Sequence, residues 1–121
     1  VSYERFDVVK VPFPFTDRDQ TKRRPALVVS GNAGFNARAG HSVMAMITSA
    51  KHAAWPLDVP VTDLAAAALP APSVVRMKLF TLDHRLVLGK IGRLTGSDEA
   101  AVTRALEKLC GRTTTSARSR R

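Results

Sequence analysis

Three consecutive cations, Lys22, Arg23 and Arg24, run into Pro25 and then into the apolar stretch Ala26-Leu27-Val28-Val29-Ser30. A short Val/Leu-rich run stopped by Gly31-Asn32 reads as a buried strand. The cations cannot follow it inside, because an unpaired buried charge is too costly. A residue before proline is pushed toward extended backbone. Arg24 is therefore expected at the rim of a rigid strand, at the boundary between loop and strand. A planar guanidinium held that way suits two-pronged binding of a phosphate. The same residues also fit a solvated basic loop, and the sequence leaves both readings standing.

Thr48 is the second candidate. It is the first polar side chain after the apolar run 43–47, and Ser49 follows it. A hydroxyl at a strand end can hold a phosphate oxygen or relay a proton; it can equally be an ordinary strand threonine. Arg76 and Lys78 lie two residues apart, hence on one strand face, where they extend a basic stripe or simply meet solvent. Phe13, Phe15, Phe35, Trp55 and Phe80 fall in or near loops, where rings stack on bases or pack beneath the loop. Cys110 stands alone near a helix end and is expected in the core. His41, His52 and His84 have no ligand spacing and are expected at the surface. No phosphate-cradling glycine loop, nucleophile elbow or paired-carboxylate pattern occurs. No metal and no cofactor is therefore expected.

The elements that must position these groups follow from the hydrophobic pattern. Strands are expected at residues 6–11, closed by Pro12 and Pro14, then at 26–30, 43–49, 57–61, 73–77 and 86–94. Pro60 makes the fourth an edge strand, and Gly89 and Gly92 mark bends or bulges in the last. Residues 12–24 form a long loop with a mixed-charge tip, a length usually tied to function. Residues 31–40 read as loop with Asn36 and Gly40 as turn formers, and 81–84 as a turn. The Ala-rich stretch 62–69 holds a turn or two of helix, ended by Pro70 and Pro72. Ser97 is the expected N-cap of an amphipathic helix, with Asp98 and Glu99 in its first turn. Val102, Ala105, Leu106 and Leu109 recur at helical spacing, and Gly111 stands at its C-terminal stop. Short strands followed by one helix predict a mainly β domain, a strongly curved sheet or partly open barrel capped by the C-terminal helix. The expected organisation is one domain over residues 1–111 and a basic, disordered tail at 112–121.

The chain of 121 residues carries a net charge of +9. Arg112, Arg118, Arg120 and Arg121 supply part of it from the C-terminal end, and the remainder belongs to the body. Such a balance favours a polyanionic partner, nucleic acid or an acidic protein. A single cysteine excludes an internal disulfide framework and suits a reducing cytoplasm. No apolar run approaches the length of a membrane span.

Taken in order, Asp7-Val8-Val9, Val11-Pro12-Phe13-Pro14-Phe15, Arg24-Pro25-Ala26-Leu27-Val28-Val29, Ile47-Thr48-Ser49, Pro72-Ser73-Val74-Val75-Arg76 and Thr81-Leu82-Asp83 resemble the MazF/PemK family of toxins from bacterial toxin–antitoxin modules. The likeness spans about residues 6–109. It implies a small SH3-like β-barrel with a C-terminal helix, a homodimer, and metal-independent endoribonuclease activity on single-stranded RNA, as in an mRNA interferase. It implies Arg24 and Thr48 as the catalytic pair, with Lys22, Arg23, Ser49, Arg76 and Lys78 as RNA contacts. The sequence departs from the family pattern at two places. Phe80 stands where members often carry arginine. Met77-Lys78 supplies no acid beside Arg76, where some members have an aspartate. The loop before Arg24 has no histidine to act as a base.

RNA supplies its own nucleophile, the 2′-hydroxyl, so such a protein need only align it with the leaving 5′-oxygen and stabilise the transition-state charge. The implied products are a 2′,3′-cyclic phosphate and a 5′-hydroxyl, and DNA resists for want of the 2′-hydroxyl. The resemblance also implies a cognate antitoxin with an acidic, disordered segment that folds onto the toxin, with DNA reached only through that antitoxin and no membrane partner. Two alternatives remain beside it: a non-catalytic toxin of the same barrel that poisons gyrase, and a plain nucleic-acid-binding barrel without turnover.

Overall fold

Six strands hydrogen-bond in the order β4-β5-β3-β2-β1-β6, with every neighbouring pair antiparallel. They are β1 (Asp7–Phe13), β2 (Lys22–Val28), β3 (His41–Ser49), β4 (Val59–Pro60), β5 (Ser73–Asp83) and β6 (Gly89–Arg93). Short helices lie at α1 (Ala37–Ala39) and α2 (Leu64–Ala67), and the C-terminal helix is α3 (Gly96–Leu109). This is a computed structural model, and it describes residues 2–13 and 22–112. Residues 113–121 of the expected tail at 112–121 and the loop tip with Phe15 lie outside the described residues. No helix among the described residues is long and apolar enough to cross a membrane.

The runs that lack alternation in sequence are strands buried on both faces. Val8, Leu27, Ala45, Ile47 and Val75 form one core with Leu94, Val102 and Ala105. The opposite face buries Val9, Val11, Ala26, Val28, Met44 and Leu82, covered by Tyr3, Phe80 and Val87. Burying both faces of the central strands stabilises by roughly 1.5–3 kcal/mol per large side chain.

Several expected boundaries move. Pro12 does not close the first strand, and the expected loop 12–24 is shorter at both ends. Pro12 pairs with Arg23, Val11 with Arg24 and Lys10 with Pro25, so Pro25 lies inside β2 rather than at its start. The expected turn at 81–84 is instead the end of β5, which runs to Asp83 before a single 3₁₀ turn at His84–Leu86. Ser97 is not the N-cap; Thr95 holds that position, its hydroxyl donating to Asp63 Oδ2 (3.2 Å) rather than capping the helix. Cys110 is exposed, not core. Asn36 is more than a turn former: it is fully buried, and its amide donates to the carbonyls of Tyr3 (2.8 Å) and Ser30 (2.9 Å). The edge position of Pro60 and the irregularity of β6, where Ile91 is an extra residue opposite Val8 and Val9, agree with the sequence. So does the helix stop. Gly111 is left-handed (φ 89), and the amides of Gly111 and Arg112 return to the carbonyls of Lys108 and Glu107, the reciprocal pair of a Schellman motif.

Two contacts curl the sheet into a half-barrel. At Gly92 of β6 a Cβ would lie 2.5 Å from the backbone carbon of Ala67 and 2.6 Å from the carbonyl oxygen of Ala66. Glycine alone lets α2, which lies between β4 and β5 in the chain, press onto the strand at the far end of the sheet. Asp98 of α3, 2% exposed, accepts hydrogen bonds from the Thr62 amide, the Thr62 hydroxyl (2.7 Å) and the Asp63 amide (3.0 Å). Burial pushes its carboxyl up, but these donors outweigh burial and hold it below its ordinary value of 3.8.

Gly92→Ala is expected to cost about 1–3 kcal/mol by overpacking against backbone. Gly31→Ala, where a Cβ meets nothing, should stay within about 0.5 kcal/mol. Urea unfolding midpoints compare the two. Asp98→Asn should lose about 1.5–3 kcal/mol at neutral pH, the range for hydrogen bonds to a charged group. Because the folded value is depressed, the carboxylate's contribution is complete above the unfolded value and is lost as pH falls through the folded one. Urea titrations should therefore show the parent losing its advantage over Asp98→Asn only below about pH 4.

Candidate active site

The β2–β3 ladder runs from Val28–Met44 to Ala26–Met46 and stops there. The Val29 amide donates to the Val43 carbonyl, so by strand alternation the missing N–H of Pro25 also faces β3, and the ladder cannot continue through it. Continued two residues in register, the strands set Arg24 opposite Thr48. Alternation places Lys22 on the same face as Arg24 and Arg23 on the other. Arg24 and Thr48 both line one cleft of about 200 Å³, with Pro25, Ile47 and Ser49 beside them. The far wall is the α2–β5 connection, from Leu69 through Pro70, Ala71 and Pro72 to Ser73.

Arg24 is half-buried and held without a charge partner among the described residues. Its guanidinium carbon sits 5.6 Å from the centre of the Phe13 ring. Its Nε is buried and has no hydrogen-bond partner among the described residues. A desolvated guanidinium donor with no acceptor is costly in a purely structural role, and a bound oxyanion would satisfy it. Ser49, paired with Ser73, accepts from the Lys51 amide (3.2 Å). Lys22 and Arg23 are exposed at the rim. The wall was not legible as part of a site: Pro70 and Pro72 read only as helix stops. The Pro72 carbonyl accepts from the Ala50 amide (3.0 Å), which fastens the wall to the end of β3.

Arg76 is placed differently. Its Nε donates to Asp58 Oδ1 (3.1 Å), and its terminal nitrogen donates to Asp58 Oδ2 (2.9 Å) and to the Ala53 carbonyl (2.9 Å). The acid that Met77-Lys78 does not supply comes from Asp58, 18 residues earlier in the chain. The hydrogen bond from Arg76, opposed by burial and helped by the Trp55 amide, holds Asp58 below the ordinary carboxylate value. The same hydrogen bond raises Arg76. Arg76 and Lys78 do share a side, 5.7 Å and 4.7 Å from the centre of the Trp55 ring, but the fork of Arg76 is committed to Asp58. Phe80 packs against the second core.

His41 and His84 lie elsewhere, lining a separate cleft, whereas the exposed His52 follows the end of β3, its amide donating to the Ser49 carbonyl (3.2 Å). His84 Nε2 is 2.7 Å from the hydroxyl of Ser42, and Ser42 is fully buried. His84 is thus half-buried rather than the expected surface side chain. Among the described residues no three His, Cys, Asp or Glu side chains converge.

A family model described as PemK-like, MazF-like toxin of type II toxin–antitoxin system matches residues 4–110. No curated protein matches the chain. Among solved structures, MazF (Form-I) from Deinococcus radiodurans aligns with TM-score 0.69 at 25% identity, over 92% of this chain and 98% of that one. An endoribonuclease in complex with its cognate antitoxin from a mycobacterial species aligns with TM-score 0.71 at 18% identity, over 93% and 97%. The Mycobacterium tuberculosis toxin MazF-mt6 aligns with TM-score 0.70 at 22% identity, over 88% and 98%.

Trp55 is the sole tryptophan and reports on the Arg76–Asp58 pair. Its emission should hold steady on acidification through 3.8, the ordinary value for aspartate, and change only as pH falls through the depressed folded value. Asp58→Asn should shift that emission already at neutral pH; a parent signal that titrates with an ordinary carboxylate would show the pair to be weak.

Proposed function

The chain belongs to the PemK-like, MazF-like toxins of type II toxin–antitoxin systems, and on that premise we propose that it is an endoribonuclease that cuts single-stranded RNA at the Arg24–Thr48 cleft. The observation that carries this reading is Arg24 itself: a half-buried guanidinium, its Nε desolvated and without an acceptor among the described residues, across from a strand-end hydroxyl. The 2′-hydroxyl attacks the adjacent phosphorus and the 5′-oxygen leaves, giving a 2′,3′-cyclic phosphate and a 5′-hydroxyl. Arg24 grips the non-bridging oxygens as charge builds on them. Thr48 hydrogen-bonds the same phosphate or relays the proton. Ser49 borders the cleft, and Lys22 and Arg23 draw the chain to its rim. Arg76 acts through Asp58 and Trp55 rather than as a free phosphate clamp. No step of this scheme requires a metal or a cofactor.

The proposal extends to partners. A net charge of +9 suits RNA and equally suits a cognate antitoxin with an acidic segment that folds onto the toxin. The working form is a homodimer in the cytoplasm.

RNA should be cut with excess EDTA present, leaving ends of the stated kind. Arg24→Lys keeps the charge and loses the planar fork. Single-turnover cleavage should fall by roughly 10²-fold or more, while affinity for RNA with one 2′-deoxy linkage at the cut site falls far less. Thr48→Val should behave alike. Arg38→Lys, on exposed α1, is the matched control. A strict need for added divalent metal would sink the mechanism, and equal small losses for Arg24→Lys and Arg38→Lys would return Arg24 to a solvated cation.

A further inference from the structure

We propose that Trp55 is a base-stacking platform for a nucleotide neighbouring the scissile phosphate, presented by a strained turn that Arg76 and Asp58 lock to the sheet. The inference rests on the RNA reading of the Arg24–Thr48 cleft and assigns it a subsite.

The turn is built for presentation. The Asp58 amide donates to the Trp55 carbonyl (3.1 Å), with Pro56 at the second position and Leu57 at the third. Leu57 has φ 66, the left-handed value that a type II turn requires and that glycine normally supplies. A leucine there is sterically unfavourable, yet its side chain packs against the main core and so anchors the turn from below. Trp55, on the other side, is left 42% exposed. Strain kept at a position whose neighbour is an exposed aromatic points to function.

The lock is equally specific. Asp58 Oδ2 accepts from both the Trp55 amide (3.0 Å) and Arg76, and Arg76 also holds the Ala53 carbonyl. Both ends of the segment 53–58 are thereby tied to β5. Lys78 Nζ lies over the ring, 4.7 Å from its centre, so a cation stands within reach of the phosphate of a nucleotide stacked on the exposed part of the ring.

Register gives the location. Thr48 is opposite Val74 and Met46 opposite Arg76, so Arg76 is the diagonal neighbour of Thr48 on the same face, roughly 7–8 Å away. An aromatic ring next to Arg76 therefore stands one side chain beyond the cleft, on its own face of the sheet. The aromatic–cation pairing favours nucleic acid over an acidic peptide, because every base offers a ring face and a phosphate together.

The test uses the full chain and short RNAs whose cut site has been mapped, made uncleavable by one 2′-deoxy linkage there. A second series carries an abasic nucleotide at one position at a time on either side. RNA should quench Trp55 emission. Trp55→Ala should weaken binding by about tenfold or more, the equivalent of losing one stacked base, and Trp55→Phe should recover most of it. One abasic position should cost the parent the same factor, abolish the quenching, and cost Trp55→Ala nothing further. If Trp55→Ala fails to fold, the abasic scan of the parent and the Phe variant decide. Equal penalties at every abasic position, or RNA binding without quenching, overturn the inference while normal cleavage leaves the cleft reading intact. Quenching by polyglutamate and not by RNA overturns it in favour of a protein partner. RNA that the parent does not cut at all removes the cleft reading beneath it.

Discussion

The register between β2 and β3 is the constraint on which the site depends. Side chains alternate with a period of two, so a slip of one residue would turn a whole strand inside out. Here both faces of both strands are buried, with Leu27 and Ala45 in one core and Ala26, Val28 and Met44 in the other. A slip of one residue would exchange Leu27 with its neighbours Ala26 and Val28 between the two cores. Arg24 and Thr48 sit beyond the last ladder pair, outside the packed region but within its geometric control. Pro25, which cannot donate, ends the ladder of paired residues just short of them, and both line the cleft there.

The cleft has a second wall, and that wall depends on the far side of the fold. Leu69 to Ser73 follow α2, which is pressed against Gly92 of β6 and tied at its start through Thr62 and Asp63 to the buried Asp98. The curl of the sheet and the docking of α3 thus set the cleft's width, although neither contributes a residue to it. Substitutions at Gly92 or Asp98 act on the site through position, not chemistry.

Much of this was legible in the sequence, and the failures share a cause. The runs 26–30 and 43–49 read as doubly buried strands because nothing polar interrupts them. Pro12 and Pro25 read as boundaries because proline cannot donate to a ladder. Both lie inside strands: Pro12 turns its missing N–H toward β6, past the last pair Lys10–Gly89, and Pro25 turns its own toward β3, where the ladder stops at Ala26–Met46 although β3 runs on to Ser49. A one-dimensional reading sees the lost donor but not which neighbour would have needed it. The reading of Ser97 as N-cap fails for a related reason, and that of Asp98, which does stand in the first turn of α3, is incomplete. Asp98 was placed by the helix dipole, whereas its partners are amides of Thr62 and Asp63 that only the tertiary fold brings near. The exposure of Cys110 follows from its place at the helix C-cap, past the last buried turn of α3.

The two arginines on the cleft's face show how residue type underdetermines role. By pattern Arg24 and Arg76 were alike: each follows or precedes an apolar run, each with a second cation nearby. Their surroundings separate them. Arg76 meets a carboxylate bidentately at 2.9 and 3.1 Å, so its charge is balanced and its fork is occupied. What remains is a rigid brace for the Trp55 turn. Arg24 lies over the face of Phe13 and keeps a buried donor without an acceptor among the described residues. An aromatic face lowers the cost of desolvating the cation but cannot saturate its hydrogen-bonding directions. Of these two, the arginine without an acceptor among the described residues is the one a phosphate can complete; the one already paired holds the neighbouring surface in place. The missing acid after Arg76 is then no defect in the pattern, because Asp58 reaches the same guanidinium from another loop and brings the tryptophan with it.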